Sequence, residues 1–470
     1  MDENTNLAVE LDPNQERELL LESWRNLLEE KKLRDLKAEL AETNEVDVAQ
    51  FLGELDPEKT VLVFRMLPKE MASDVFAELE PEVQQRIISA ATDRELGEIV
   101  EGLFVDDAVD MLEELPANVV KRVLKSARPD TRQLINQFLN YPENSVGSIM
   151  TAEFVDLKKT MSVSQAIASV RRQCEESESV YTCYVTDNRR VLLGVITLKD
   201  LLMAKDDQLV EEVMDDDVIT ALTTEDQEEA VQRIMKYDFL SLPVVDQEGR
   251  LVGMVTVDDV MDVMEEEATE DIEKMAAITP SEKPYLRTTT FETYKQRIPW
   301  LLLLMISATF TGMIITSFED ALAAQVVLSA FIPMLMDTGG NSGSQSSVTV
   351  IRALSLGDVE LGDIFKVMWK EVRVALMVGV TLACANFVKI MVVDRMLMHN
   401  PAITPLIAGV VCLTLVVTVA AAQFVGCSLP ILAKKLGFDP AVMASPFITT
   451  IVDAISLLVY FAFAKLLLGL

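Results

Sequence analysis

Pro333-Met334-Leu335-Met336-Asp337-Thr338-Gly339-Gly340-Asn341-Ser342-Gly343-Ser344-Gln345-Ser346-Ser347 is the stretch that decides how this chain is built. Three glycines, a carboxylate and a row of amides and hydroxyls sit inside the apolar half of the sequence. A helix facing lipid does not suit such a run. One reading is a small-residue seam where helices pack closely. The other is backbone broken at membrane depth, which is tolerated only where protein or a wet cavity surrounds it. The second is the expectation here: Gly339 and Gly340 would expose carbonyl oxygens, and Asn341, Ser344 and Gln345 would add side-chain oxygens.

Around this run, five segments have the length and apolarity of membrane spans: about 298–317, 321–353, 371–394, 403–433 and 441–469. A helix needs about 20 apolar residues to cross the hydrocarbon. The second and fourth are longer and carry Pro333 and Pro430. Basic residues set the orientation. Arg287, Lys295 and Arg297 precede the first span, Arg352, Lys366, Lys370 and Arg373 lie between the second and third, and Lys434 and Lys435 follow the fourth. All fall on the side of the soluble half. The stretch Met1–Glu10 is acidic and polar, so no cleavable signal is expected and that half should lie in the cytosol. The C-terminus is then expected outside.

The fifth span contains Asp453 near its middle, with no Lys or Arg within a turn. A carboxylate at that depth is costly unless it is hydrated, paired or ligating a cation. Ser445 and Thr449 lie eight and four residues earlier, on the same helical face. With the glycine-rich run they make an oxygen-only set, the ligands of hard cations and of Mg²⁺ above all. One Asp per chain is a thin site for a divalent ion. A twofold axis would supply a second, so a homodimer is expected.

Charge is divided unevenly. Residues 298–470 hold 9 Lys/Arg and 10 Asp/Glu, so residues 1–297 carry −33 of the chain's −34. Such a body repels phosphates, and nucleic acid is excluded as a partner. The five cysteines have no Cys-x-x-Cys spacing, and a reducing compartment is the simple reading. His399 is the single histidine. That argues against a His-Glu-x-x-His metalloprotease.

Residues 1–143 read as short helices, with apolar residues at three- and four-residue spacing and starts at Pro57, Pro68, Pro81 and Pro116. Their recurrence suggests a superhelical stack. Residues 144–207 and 208–268 are a duplication. Ile149-Met150-Thr151 answers to Val213-Met214-Asp215, and Gly194-Val195-Ile196-Thr197-Leu198-Lys199-Asp200 to Gly253-Met254-Val255-Thr256-Val257-Asp258-Asp259. The pair resembles tandem CBS domains. In that family the Thr-x-x-Asp of each copy can hold a nucleotide ribose. The candidates are Thr197 with Asp200 and Thr256 with Asp259; a plain helix cap is the alternative. Residues 269–296 read as a connecting helix broken near Pro284.

Asp258, Asp259, Asp262, Glu265, Glu266, Glu267, Glu270, Asp271 and Glu273 are nine acids with no base between them. Like charges packed at an interface repel, and divalent ions bridging them would draw the parts together. Asp93, Asp106, Asp107 and Asp110 of the helical domain could join them.

The run Pro333–Ser347, the Asp439-Pro440-Ala441 start of the fifth span and its buried Asp453 resemble the MgtE family of magnesium channels, as does the order of domains. The resemblance spans essentially the whole chain. It implies a multidomain membrane protein: an all-α superhelical N domain, an α/β CBS pair, a connecting or plug helix, and a five-helix transmembrane bundle over 297–470. It implies a homodimer in the cytoplasmic membrane that passes Mg²⁺ and is not an enzyme. Asp453 matches the family's pore carboxylate, Asp337 and Gly340 the filter backbone, and Ser344 and Ser445 polar filter positions. Asn341 and Thr449 are added from the residues themselves. Feedback by cytosolic Mg²⁺ is implied at an acidic sensor, for which Asp93, Asp107, Asp259, Asp262, Glu267, Glu270 and Asp271 are the candidates. ATP at the CBS pair is implied as a regulatory ligand. The alternatives are an H⁺- or Na⁺-coupled carrier and a nucleotide-sensing scaffold without transport; the scaffold leaves Asp453 unexplained.

Overall fold

The computed structural model describes residues 13–281, 285–286, 288–443 and 445–469. Pro284 and Arg287 lie outside the described residues, and so does the side chain of Ser445. The chain forms two compact units, Met1–Met261 and Asp262–Leu470.

The first unit opens with short helices between Pro13 and Phe138. Pro57 and Pro81 stand in the first helical turn, where a missing N–H costs nothing. Pro68 and Pro116 sit one residue earlier, at the N-cap. Buried faces supply the core, with Trp24 edge-on to Phe51 at 5.3 Å and Phe64 edge-on to Phe76 at 5.9 Å.

The duplication is visible in the sheets. In the first, β1 (Phe154–Lys158) runs parallel to β2 (Ser179–Thr186), which is antiparallel to β3 (Leu192–Thr197). In the second, β4 (Ala221–Leu222), β5 (Ser241–Val245) and β6 (Leu251–Thr256) repeat that order and sense. Each copy also pairs with the other. The Thr151 N–H donates to the Met254 carbonyl at 2.8 Å and receives its N–H at 2.9 Å; Val195 and Asp215 exchange the same pair at 2.9 and 2.8 Å. Glycine permits these crossings: a Cβ on Gly253 would stand 2.6 Å from the Thr151 oxygen, and one on Gly194 2.8 Å from that of Asp215.

One strained residue ends the helix Gln227–Tyr237. Asp238 is left-handed at φ 54°, its backbone N–H donating to the Ile234 carbonyl. An L-residue there costs about 1–2 kcal/mol, and an exposed acid opposes the helix C-terminus. Asp238→Gly is expected to stabilise the CBS pair by about 1 kcal/mol, read as a raised midpoint in thermal unfolding of the purified protein.

The connecting segment departs from expectation. One helix runs unbroken from Val257 to Met275, continuing the last CBS strand, instead of starting near residue 269. Glu265-Glu266-Glu267-Ala268-Thr269-Glu270 are good or neutral helix formers with no Gly or Pro among them. The helix closes on left-handed Ala277, with Ile278 N–H donating to the Glu273 carbonyl and Ala277 N–H to that of Lys274.

In the second unit, five membrane helices follow: Thr290–Ser317, Ile332–Ser355, Ile364–Lys389, Pro405–Lys435 and Ser445–Leu468. Among the described residues, four segments have the length and hydropathy of a span: Thr290–Ser317, Leu361–Leu397, Pro405–Lys435 and Ala441–Leu468. The second helix, too polar for that test, is wedged between the fourth and fifth. Its expected start at 321 is corrected. A short helix, Glu319–Ala324, and a 3-10 turn, Val326–Phe331, come first, and Pro333 lies in the first turn of Ile332–Ser355, where proline does no harm. The third helix starts at Ile364, a full two turns before residue 371. The ends of the second and fourth helices and the start of the third share one apolar cluster: Val350, Leu354, Cys427 and Ile431 with Ile364, Val367 and Met368. Lys434 Nζ donates to the Leu354 carbonyl at 3.2 Å there.

Candidate pore and cytosolic acid sites

The second membrane helix has two faces. Gly339, Ser342, Gly343, Ser346, Ser347 and Val350 are buried. A Cβ on Gly339 would meet Val452 and Ser456 of the fifth helix at 3.0 Å and Thr418 of the fourth at 2.7 Å. On Gly343 it would meet Ile448 at 2.8 Å. The glycines are therefore a packing seam. The expected break in the backbone is corrected: the helix passes through Gly339 and Gly340 without interruption. What the small residues remove is bulk, not hydrogen bonds. The Gly340 carbonyl offers an ion only the lone pair left over from its helical bond.

Asp337, Asn341, Gln345 and Val348 are exposed along the opposite face, and Ser344 is half-buried beside them. Asp453 is half-buried on the fifth helix, next to Val452 of the seam, and feels the charge of Asp337. Thr449 lies against Gly340, where a Cβ would stand 3.1 Å from its methyl. Its hydroxyl donates to the Pro446 carbonyl at 2.9 Å, so it can offer a cation its lone pairs alone. Gly340 and Thr449 thus touch where the second and fifth helices meet, Asp337 is within electrostatic reach of Asp453, and Asn341 and Ser344 lie on the face away from the seam.

A second acidic site lies in the first unit. Asp106 and Asp107 open the helix Val105–Glu113, Glu178 precedes β2, and Asp259 lies in the first turn of the connecting helix. One carboxylate oxygen each from Asp106, Glu178 and Asp259 come within 4.8 Å of one another. Asp106 is only 8% exposed. Glu178 Oε2 is buried with no hydrogen-bond partner. Burial, and after it the neighbouring acids, push Asp106 well above the usual carboxylate range; burial lifts Glu178 to about 8, against a hydrogen bond from Thr151 and with the neighbouring acids adding to it. Burial and then Asp259 push Asp107 up to about 6. Three hard oxygens with an orphaned acceptor among them are of the kind a divalent cation takes as ligands. Asp259 and Asp106 are among the acids that the sequence suggests could gather, whereas Glu178 was missed.

The other sensor candidates are placed differently. Asp93 is paired with Arg122 Nε at 3.0 Å, inside the helical domain. Asp262 and Glu267 lie farther along the connecting helix. Lys274 Nζ sits 2.7 Å from both Glu270 and Asp439. Burial lowers the Lys274 pKa, but the bonds to Asp439 and Glu270 outweigh it and leave the group raised. Asp271 accepts from the Ser355 hydroxyl at 3.1 Å, and burial raises its pKa against that bond. A lysine already bridges Glu270 to the loop before the fifth helix, a contact the acid stripe did not announce.

Both Thr-x-x-Asp motifs act as helix caps. The Thr197 hydroxyl donates to Asp200, with the Asp200 N–H returning to Thr197 at 3.1 Å. The Thr256 hydroxyl and N–H both donate to Asp259.

Residues 332–463 match the family of divalent cation transporters MgtE. Residues 43–144 match the MgtE intracellular N domain, and 146–207 and 210–266 match CBS domains. A magnesium transporter MgtE from Thermus thermophilus is 37% identical over 455 residues, 96% of this chain and 99% of its own length. The chain belongs to the MgtE family. A second MgtE, from Bacillus subtilis, is 32% identical over 93% of this chain and 95% of its own length. The crystal structure of the soluble part of a magnesium transporter superposes with a TM-score of 0.52 at 28% identity, covering 54% of this chain and 99% of its own. The MgtE architecture accounts for the helical domain, the CBS pair and the apolar helices together.

Proposed function

We propose that this chain is a Mg²⁺ channel of the cytoplasmic membrane, working as a homodimer and closed by cytosolic Mg²⁺. The observation that carries the reading is the open face of the second membrane helix. Asp337 and Asn341 are exposed on a single chain, and the half-buried Asp453 of the fifth helix lies within electrostatic reach of Asp337. Polar groups at membrane depth need water or another protein surface. A second copy on a twofold axis would turn both faces into one wet pathway, with two Asp453 carboxylates across it. Mg²⁺ sheds water reluctantly, so Asp337, Asn341, Ser344, Thr449 and Asp453 would hold the hydrated ion, with Ser445 as a further candidate. The relatives named as magnesium transporters support Mg²⁺ as the cargo.

The orientation puts the acidic first unit and the N-terminus in the cytosol and the C-terminus outside. Cytosolic Mg²⁺ would occupy the group of Asp106, Asp107, Glu178 and Asp259, and further acids at Asp262, Glu267, Glu270 and Asp271. Filling them compacts the acidic body and favours closure; emptying them restores repulsion and opens the pore. ATP, held by Thr197, Asp200, Thr256 and Asp259, would act as a regulatory ligand that competes with the two helix caps.

The test is electrical. Purified full-length protein in a planar bilayer, at equal pH and without Na⁺, is expected to pass current that reverses at the Mg²⁺ equilibrium potential. Transport that appears only when a pH or Na⁺ gradient is applied would favour the coupled carrier and reject the channel.

A further inference from the structure

The seam behind the second membrane helix raises a question of registration. Gly339 and Gly343 have no side chains to key into a neighbour, and Gly426 of the fourth helix lies so close that a Cβ there would stand 2.3 Å from the Gly343 oxygen. The glycines leave no room for a Cβ against Thr418, Val452 and Ile448, so the steric fit already favours one rotation of the helix. Rotation matters, because one residue of slip turns a helix by about 100° and would put Met336 or Thr338 in place of Asp337, and Gly340 or Ser342 in place of Asn341. Directional contacts add to that fit.

Four side chains supply them. Ser346 Oγ donates to Glu371 Oε2 of the third helix at 2.7 Å and lies 3.3 Å from the Gln423 carbonyl of the fourth. One turn earlier, Gln423 Nε2 donates to Ser342 Oγ at 3.0 Å. Ser342, Ser346 and Gln423 are 6%, 4% and 4% exposed. Glu371, half-buried near the start of the third helix, is the charged member. Hydrogen bonds to a charged group are stronger than neutral ones and more costly to break when buried.

We infer that Glu371, through Ser346 and with Gln423 on Ser342, is a positioning residue that sets the rotation of the second membrane helix and so selects which oxygens line the ion pathway. It touches no ion in this role. The inference rests on the reading in which the second helix lines the pore. Glutamine at 371 keeps an oxygen that can accept from Ser346; alanine does not.

The experiment uses the full chain in proteoliposomes, measuring Mg²⁺ flux, the ratio of Mg²⁺ to Ca²⁺ flux, and the thermal midpoint. Glu371→Ala and Ser346→Ala are each expected to lower the flux ratio roughly tenfold, the scale of one lost charge-assisted hydrogen bond. The double variant should be no worse than either single one, because both remove one bond. Glu371→Gln should stay close to the parent. A Glu371→Gln protein as impaired as Glu371→Ala would mean that charge matters and placement does not, which overturns the inference. So would an unchanged flux ratio in Ser346→Ala, a readout that stands even if Glu371→Ala fails to fold. Asp453→Asn, run in parallel, separates the two levels: flux lost there but unaltered in the 346 and 371 variants rejects only the positioning role, whereas flux retained in Asp453→Asn rejects the pore reading itself.

Discussion

Asp453→Asn is expected to lower Mg²⁺ flux at least a hundredfold while leaving the folded protein intact. At an effective dielectric of about 20, a doubly charged ion about 5 Å from a carboxylate gains roughly 6–7 kcal/mol. Losing less than half of that exceeds the ~2.7 kcal/mol that corresponds to a hundredfold change in rate. Asparagine keeps the shape and the neighbours, so the seam of Val452 against Gly339 is undisturbed. Asp337→Asn should cost less, because Asp337 is exposed and its field is screened by water and salt. Flux of Mg²⁺ into dye-loaded liposomes, with matched thermal midpoints, measures both. Near-parental flux in the Asp453 variant would remove the carboxylate from the pathway.

The second large effect lies in the cytosolic acids. Asp106→Asn, Glu178→Gln and Asp259→Asn together should abolish closure by internal Mg²⁺ over a tenfold or wider range of concentration, since each 1.4 kcal/mol of lost binding is a factor of about ten. The same group predicts a pH dependence whose sign follows from its shifts. Asp106, Asp107 and Glu178 all have folded-state pKa values raised above those of free carboxylates. In metal-free solution their contribution to the compact arrangement is fully present below about pH 4, the ordinary carboxylate range. It is lost as pH rises through about 6, where Asp107 ionises, and beyond. Mg²⁺ must displace those protons, so inhibition should weaken as pH falls from 8 to 6. Protease protection of the full-length protein in chelator, followed from pH 8 to 5, should rise in the parent and rise less in the triple variant, which keeps Asp107. Equal profiles would place the sensor elsewhere.

Much of this was legible in the chain because local rules fix it. Pro57 and Pro81 start helices for the reason any N1 proline does, and the two Thr-x-x-Asp motifs cap theirs. The duplicated strands announced two like sheets. Asp453 stood out because a carboxylate among apolar residues has few innocent explanations. The glycine-rich run was read with the wrong one of its two meanings, since Gly339 and Gly343 carry no mark that tells a packing seam from a broken helix; only Val452, Thr418 and Ile448 across the gap decide it. Glu178 was invisible as a partner of Asp106 because 72 residues of chain separate them. Glu371 and Gln423 were passed over for the same reason: their meaning lies in two serines on another helix. The boundary drawn at residue 269 marks the end of the duplication, while the backbone follows helix propensity and runs on from Val257.

The reciprocal loan of Thr151 to Met254 and of Asp215 to Val195 has a consequence for truncation. Neither half of the duplication can be trimmed away without baring the edge of the survivor, so a chain cut between the copies would leave two sticky fragments where the doubled module is self-sealed.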